Sequence, residues 1–265
     1  MHTAPHPGSA PAPAPPVDWT FQVGWAANGE DVQAAQRLRF AVFVGEMGAQ
    51  LTPDAMAAGL DADRFDPFCE HLLVWAIDRA GRMPRQLVGT YRVLTPSGAC
   101  RAGGLYADQE FDLAPLAALR PRMIELGRAC VHPGWRSGGV ILALWSALGQ
   151  YMVRHGLETM VGCASVGLAD GGRFASALWR AVSATHLARP AWRVVPRCAL
   201  RLVDDSGQPP VTLRAMPPLI KGYLRGGARV LGPPSYDASF HTADLPIIMR
   251  MDELSARYRA QFLAR

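Results

Sequence analysis

The sequence predicts an α/β fold with a mixed central sheet flanked by helices. Two apolar runs, His71 to Asp78 and Gln86 to Leu94, are joined by the turn Arg79-Ala80-Gly81 and a short proline-containing loop, the pattern of paired hairpin strands. Downstream, a strand-like run from Arg122 to Val131 enters the turn His132-Pro133-Gly134. A helical pattern from Ser137 to His155 and a short strand from Thr159 to Ala164 follow. A hydrophobic fraction of 49% with 18% charge supplies enough apolar surface for a core and excludes a disordered chain.

The remaining elements fit around these. Thr20 to Trp25 reads as a first strand. Glu30 to Met47 reads as a helix, because Val32, Ala35, Leu38, Val42 and Phe43 keep helical spacing. Leu51 to Asp66 reads as a loop carrying Asp61, Asp63 and Asp66. In the second half, helices are expected near Arg173 to Ser183 and Pro218 to Arg225, and strands near Arg193 to Val203 and Pro246 to Met251. A closing helix is expected from Asp252 to Ala264. Prolines concentrated in the first sixteen residues make 1–18 a flexible or polyproline-like tail, leaving 19–265 as one domain.

Several classes are disfavoured. The tail has neither a basic start nor an apolar segment, so it is not a secretory signal. The charge-free run from Ser137 to Val153 is interrupted by Ser146 and Gln150, and is shorter than the roughly 20 apolar residues of a membrane span. It predicts a buried helix. Five scattered cysteines without a C-x-x-C pair argue against a zinc site or disulfide framework, and fit a reducing cytoplasm. The net charge of +5, with Lys221 the sole lysine, suits acidic partners such as anionic lipid or an acidic carrier protein. Without an aromatic-interleaved basic run, no nucleic-acid partner is expected.

The chemistry is expected at the turn after Val131. Arg136, Ser137, Gly138 and Gly139 at a helix start leave backbone N–H groups free for an anion, and the glycines permit close approach. The run Val131-His132-Pro133-x-x-Arg136-x-x-Gly139 resembles the acyl-donor loop of the GCN5-related N-acyltransferases, which bind a phosphopantetheine arm. Ile141 stands where that loop usually has a second glycine, which fits a donor carried on a protein with a single phosphate on its arm.

Other stretches narrow the resemblance. Arg39-Phe40-Ala41-Val42-Phe43, Asp63-Arg64-Phe65-Asp66, Val88-Gly89-Thr90-Tyr91-Arg92, and Glu125 with Arg128 occur in the order seen in acyl-homoserine lactone synthases. From about Thr20 to Phe262 the chain is similar to the L-ornithine N-alpha-acyltransferases of ornithine-lipid synthesis. The discriminating part is Pro218-Leu219-x-Lys221-x-Tyr223-Leu224-Arg225-x-Gly227-Ala228, followed by Pro234, Asp237, Phe240 and Asp244.

The resemblance implies a GNAT-like, mostly antiparallel sheet with a C-terminal helical extension. It also implies transfer of a 3-hydroxyacyl group from acyl carrier protein to the α-amine of ornithine. It implies no bound cofactor, with the carrier's phosphopantetheine as the donor arm. Alternatives are another amino-acid acceptor, lactone synthesis, acetyl transfer from acetyl-coenzyme A, or a non-enzymatic lipid- or carrier-binding module. Glu125 is the expected proton acceptor with Arg128 beside it, an ion pair between the two being the plain alternative. Arg39, Arg92 and Arg128 are candidates for gripping the acceptor's carboxylate, and Asp63 and Asp66 for holding its side-chain amine. A buried charge network of Arg39, Asp63, Asp66 and Arg92 is the competing reading. Backbone groups at Cys130 and Val131 are expected to meet the oxyanion, with Arg136, Ser137, Gly138 and Gly139 on the donor arm. Cys130 itself reads as a small buried residue, His132 as fixing its turn and His71 as a core histidine. Lys221 and Arg225, four apart on a helix, form a candidate docking face for the carrier. Met216, Leu219, Ile220, Tyr223 and Leu224 read as a core-facing stripe, with peripheral contact at the inner membrane as the alternative.

Overall fold

The computed structural model describes residues 17–204 and 211–262; residues 1–16 of the expected tail lie outside the described residues. The elements in chain order are β1 (Trp19–Trp25), α1 (Gly29–Phe43), α2 (Pro53–Ala58), β2 (Glu70–Asp78), β3 (Gln86–Leu94), α3 (Pro96–Ala102), β4 (Phe111–Asp112) and β5 (Met123–Val131). They continue with α4 (Gly139–Arg154), β6 (Thr159–Gly167), α5 (Arg173–Thr185), β7 (Val195–Pro196), α6 (Pro218–Gly226), β8 (Arg229–Val230), β9 (Ser235–Asp237), β10 (Thr242–Arg250) and α7 (Ala256–Phe262).

The main sheet has the order β1-β2-β3-β5-β6-β10-β8, with β9 paired to β10. Every pairing is antiparallel except β5 with β6. Helix α4 supplies the crossover that a parallel pair requires. Alternate residues of the strands face opposite layers, as the pleat dictates. Leu72, Val74 and Ala76 pack towards Val140, Leu144, Leu148 and Met152 of α4. Leu73 and Leu87 pack on the other face with Ala35, Leu38 and Val42 of α1. Helix α1 begins where the Asn28 side chain accepts the Asp31 N–H at 3.0 Å, a cap that satisfies one free amide of the first turn.

Most expected strands and helices are present with small shifts of their ends. Two segments differ. The stretch from Leu51 to Asp66, expected as loop, contains α2, started by Pro53 with the Thr52 hydroxyl accepting the Ala55 N–H. The strand expected across Arg193 to Val203 is reduced to Val195–Pro196, which pairs with Phe111–Asp112 outside the main sheet. Pro196 lacks an N–H donor, which keeps a longer ladder from forming there. The charge-free run forms α4 and lies on the sheet; among the described residues no helix is long and apolar enough to cross a membrane.

Candidate active site

The parallel strands β5 and β6 form a fork. They pair only at Met123 with Thr159, Ile124 with Met160 and Glu125 with Val161. Beyond that point β5 follows β3 to Val131, while β6 follows β10 to Gly167. Two residues hold the crotch in shape. A side chain at Gly162 would collide with the Leu126 carbonyl, so only glycine fits where the strands part. On β5, Arg128 and Ala129 together stand opposite Tyr91, a bulge in which Arg128 takes a φ of 52°. Such a bulge bends its strand and re-aims the side chain. A cavity of about 590 Å³ fills the fork. Its floor runs along β5 from Glu125 to Val131, and its far wall includes Cys163, Ala164 and Ser165 of β6.

Along and behind one wall lie three arginines and three aspartates. Arg39, fully buried, donates from Nε to Asp61 Oδ2 at 2.8 Å and from Nη2 to Asp66 Oδ1 at 2.7 Å, and also to the Asp61 carbonyl. Arg92 Nη1 donates to Asp63 Oδ2 at 2.7 Å and Asp66 Oδ2 at 3.2 Å. Arg128 Nη2 reaches the same Asp63 oxygen at 3.1 Å, and its Nε lies 3.3 Å from Asp61. Burial opposes ionisation of Asp66, but Arg39, Arg92 and the Asp63 N–H outweigh it and hold the carboxyl below its usual range. His71 sits against this cluster, 3.5 Å from Arg39 and 3.3 Å from the Asp66 carbonyl, with burial lowering its pKa.

Of the two readings of Arg39, Asp63, Asp66 and Arg92, the buried charge network is the one that forms. Arg39, Asp63 and Asp66 do not line the cavity, whereas Arg92 and Arg128 do. The aspartates are committed to guanidinium groups rather than held open for an amine. The reason is electrostatic: buried charges persist only when compensated, and six of them here compensate one another. Asp61, singled out for no role from the sequence, is an equal partner.

Glu125 lines the cavity and is 4% exposed. Its two oxygens accept the backbone N–H groups of Tyr106 at 2.6 Å and Ala107 at 2.7 Å. The alternative of an ion pair with Arg128 is not what forms. Burial raises its pKa to about 7 against the pull of those two hydrogen bonds. Glu125 therefore fixes the short 3-10 turn Tyr106–Gln109 and presents a carboxyl that titrates near neutrality.

The far end of the cavity is acidic, and no role was assigned there from the sequence. Asp237 and Asp244 line it, with Glu110 close behind Asp244. Tyr106 joins the two ends: Arg128 lies 5.1 Å from its ring centroid, and its hydroxyl donates to Asp237 at 3.4 Å. Asp237 and Asp244 were visible in the sequence as part of the C-terminal motif. Tyr106 and Glu110 fall in a stretch without apolar periodicity.

At the other end, Cys130, Val131, Arg136 and Gly138 line the cavity, while Ser137 and Gly139 flank it. Gly138 has a φ of 104° and no side chain caps α4, which leaves its first amides free. Arg136 is less available than its position suggested. Its guanidinium holds Glu46 at 2.5 and 2.8 Å, and Nε donates to the Val131 carbonyl at 3.1 Å, stapling the loop to the end of α1. The Cys130 thiol is pushed up to about 12 by burial and donates to the Leu38 carbonyl at 3.8 Å. His132 accepts the Gly134 N–H at 3.2 Å and fixes the turn.

Helix α6 closes the rim. Leu219, Ile220 and Tyr223 line the cavity, and Met216, Ile220 and Leu224 are buried, so this stripe faces the core. Arg225 is exposed, and Lys221 donates to the Arg214 carbonyl at 3.0 Å. A second, apolar cavity of about 60 Å³ lies between Trp145 and Leu148 of α4 and Met160 to Ala164 of β6.

Known proteins share this architecture. An acetyltransferase (GNAT) domain is matched over residues 38–146. The AHL synthase LasI superposes with a TM-score of 0.50 at 12% identity, covering 94% of this chain and 96% of its own. An L-ornithine N(alpha)-acyltransferase of Rhizobium meliloti is 37% identical over 88% of this chain and 81% of its own. The corresponding enzyme of Brucella abortus is 38% identical over 90% and 87%. On that similarity the chain is an acyltransferase of GNAT-like fold and belongs to the L-ornithine N(alpha)-acyltransferase family.

Proposed function

We propose that this enzyme transfers a 3-hydroxyacyl group from the phosphopantetheine thioester of acyl carrier protein to the α-amine of ornithine, forming a lyso-ornithine lipid. The observation that carries the reading is the open fork between β5 and β6, with Glu125 at its crotch and free helix amides at its mouth. The arm's phosphate would meet the amides of Ser137, Gly138 and Gly139. Lys221 and Arg225, beside the cavity rim, would receive the acidic carrier.

The reaction needs no covalent enzyme intermediate. Glu125, through water in the fork, accepts a proton from the α-ammonium; the amine then attacks the thioester carbon. The oxyanion is stabilised by N–H groups on the unpaired edge of β5 near Cys130 and Val131. Collapse breaks the C–S bond, the nitrogen loses its second proton, and the pantetheine sulfur leaves as a thiol. Arg128 and Arg92, on the cavity wall, are placed for the acceptor's carboxylate. The amphiphilic product would leave towards the inner membrane surface, through peripheral contact.

Mass spectrometry of the purified enzyme with 3-hydroxyacyl carrier protein and ornithine tests this. The expected product is ornithine acylated on the α-nitrogen. Acylation from acetyl-coenzyme A alone, or consumption of no thioester with any amino acid, contradicts the reading.

A further inference from the structure

The two sides of Arg128 differ in charge balance. On one side, three arginines face three aspartates. On the other, Asp237, Asp244 and Glu110 have no ion pair with any lysine or arginine among the described residues.

Their hydrogen bonds do not replace a cation. Asp237 Oδ1 accepts the N–H groups of Ser239 at 2.8 Å and Phe240 at 3.1 Å. Asp244, 3% exposed, accepts the Thr242 hydroxyl at 2.8 Å and a bond from Ser165. Glu110 Oε2 is buried and has no partner. Burial, reinforced by the neighbouring carboxylates, lifts Glu110 to about 8 and Asp244 to about 6. Cys163 lies in the same group but is held protonated by burial, so it adds no charge.

We infer that Asp244, backed by Glu110, binds the side-chain ammonium of the acceptor and so selects ornithine over amino acids with neutral side chains. The inference rests on the reading that this cavity takes an amino-acid acceptor. Ser165 is the register partner of Asp244, three residues along β6 from Gly162 at the crotch. That spacing is roughly 10 Å; ornithine's two nitrogens stand about 6 Å apart when extended, and a hydrogen bond of about 3 Å to the carboxylate makes up most of the rest. An ammonium has the compact charge and multiple donors that an orphaned carboxylate oxygen and its neighbour can share.

Calorimetric titration of the full chain with L-ornithine and with L-norvaline, the same skeleton without the δ-amine, tests this. Wild type should prefer ornithine by at least about 100-fold, because buried acceptors left unpaired reject the analogue. Asp244→Asn should cut that preference below about tenfold, with Glu110→Gln giving the same direction of change and standing in if the first variant melts early. Equal binding of the two amino acids by wild type, an unchanged preference in a folded variant, or a preference abolished by a chelator would overturn the inference. Ornithine-selective binding without acyl transfer would leave it standing and overturn the proposed reaction instead.

Discussion

Arg128 donates to Asp63 across 3.1 Å from a backbone position with a φ of 52°, so the bulge in β5 and the buried ion network hold each other in place. A non-glycine residue in that region costs about 1–3 kcal/mol unless its surroundings compensate. Arg128→Gly removes the strain but strips Asp61 and Asp63 of a partner. Urea denaturation should show a net loss of about 2–4 kcal/mol. Adding Asp63→Asn should recover part of that stability without restoring turnover. Unchanged stability in the single variant would show the network to be dispensable.

Glu125 should govern the pH dependence of acyl transfer. Its pKa is raised to about 7 by burial, so the ionised fraction grows as pH rises through that value, and kcat/KM should rise with it. Glu125→Gln should lower the rate by about 10²–10⁴-fold and flatten that limb. A rising limb that persists in the variant would assign the proton acceptor to another group.

Asp66, whose pKa is shifted in the opposite direction to that of Glu125, makes the fold itself acid-sensitive. Its folded pKa lies below the ordinary value of 3.8, so the unfolded chain takes up the proton first as pH falls. The stability it contributes is complete above about pH 5 and declines below pH 4. The stability gap between wild type and Asp66→Asn should therefore narrow from pH 5 to pH 3. A gap that stays constant would remove Asp66 from the acid response.

Cys130 should be chemically silent. Its thiol is 3% exposed and pushed up to about 12, far from a reactive thiolate. Cys130→Ala should retain turnover within about fivefold, and intact-protein mass spectrometry during turnover should show no acylated enzyme. A trapped thioester on Cys130 would replace direct attack with a two-step route.

Gly162 should be intolerant of any side chain. The Leu126 carbonyl occupies the space a Cβ would need, so Gly162→Ala must push the strands apart or distort the crotch. A loss of about 1–3 kcal/mol is expected, with lower turnover. A variant as stable and active as wild type would show that the fork does not depend on this approach.

The two strands of the fork were legible in the sequence because they obey local rules, whereas their parting beyond Glu125 has no local signal. Met123–Val131 and Thr159–Gly167 coincide with the expected strands, and the turn at His132-Pro133-Gly134 announces the helix that follows. The segment from Pro96 to Arg122 was silent, since it is a short helix and 3-10 turns held by distant partners. Examples are Glu125 on the Tyr106 amide and Arg120 on Asp108 at 2.5 and 3.0 Å. The competing reading of a buried network named Arg39, Asp63, Asp66 and Arg92, and that network forms, but the reading held neither Asp61 nor Arg128. Nothing local says that Arg39 will take Asp61, or that Arg128 will join the network from β5. Likewise Asp237 and Asp244 stand on separate strands, brought to one cavity by the pairing of β9 with β10.

A structure of the enzyme with ornithine and a non-hydrolysable acyl-pantetheine analogue tests the central claim most directly. The acyl carbonyl should lie in the fork against the β5 edge near Cys130 and Val131, with the α-nitrogen on the side that faces Glu125. An acyl chain bound elsewhere, with the fork empty, would contradict the account.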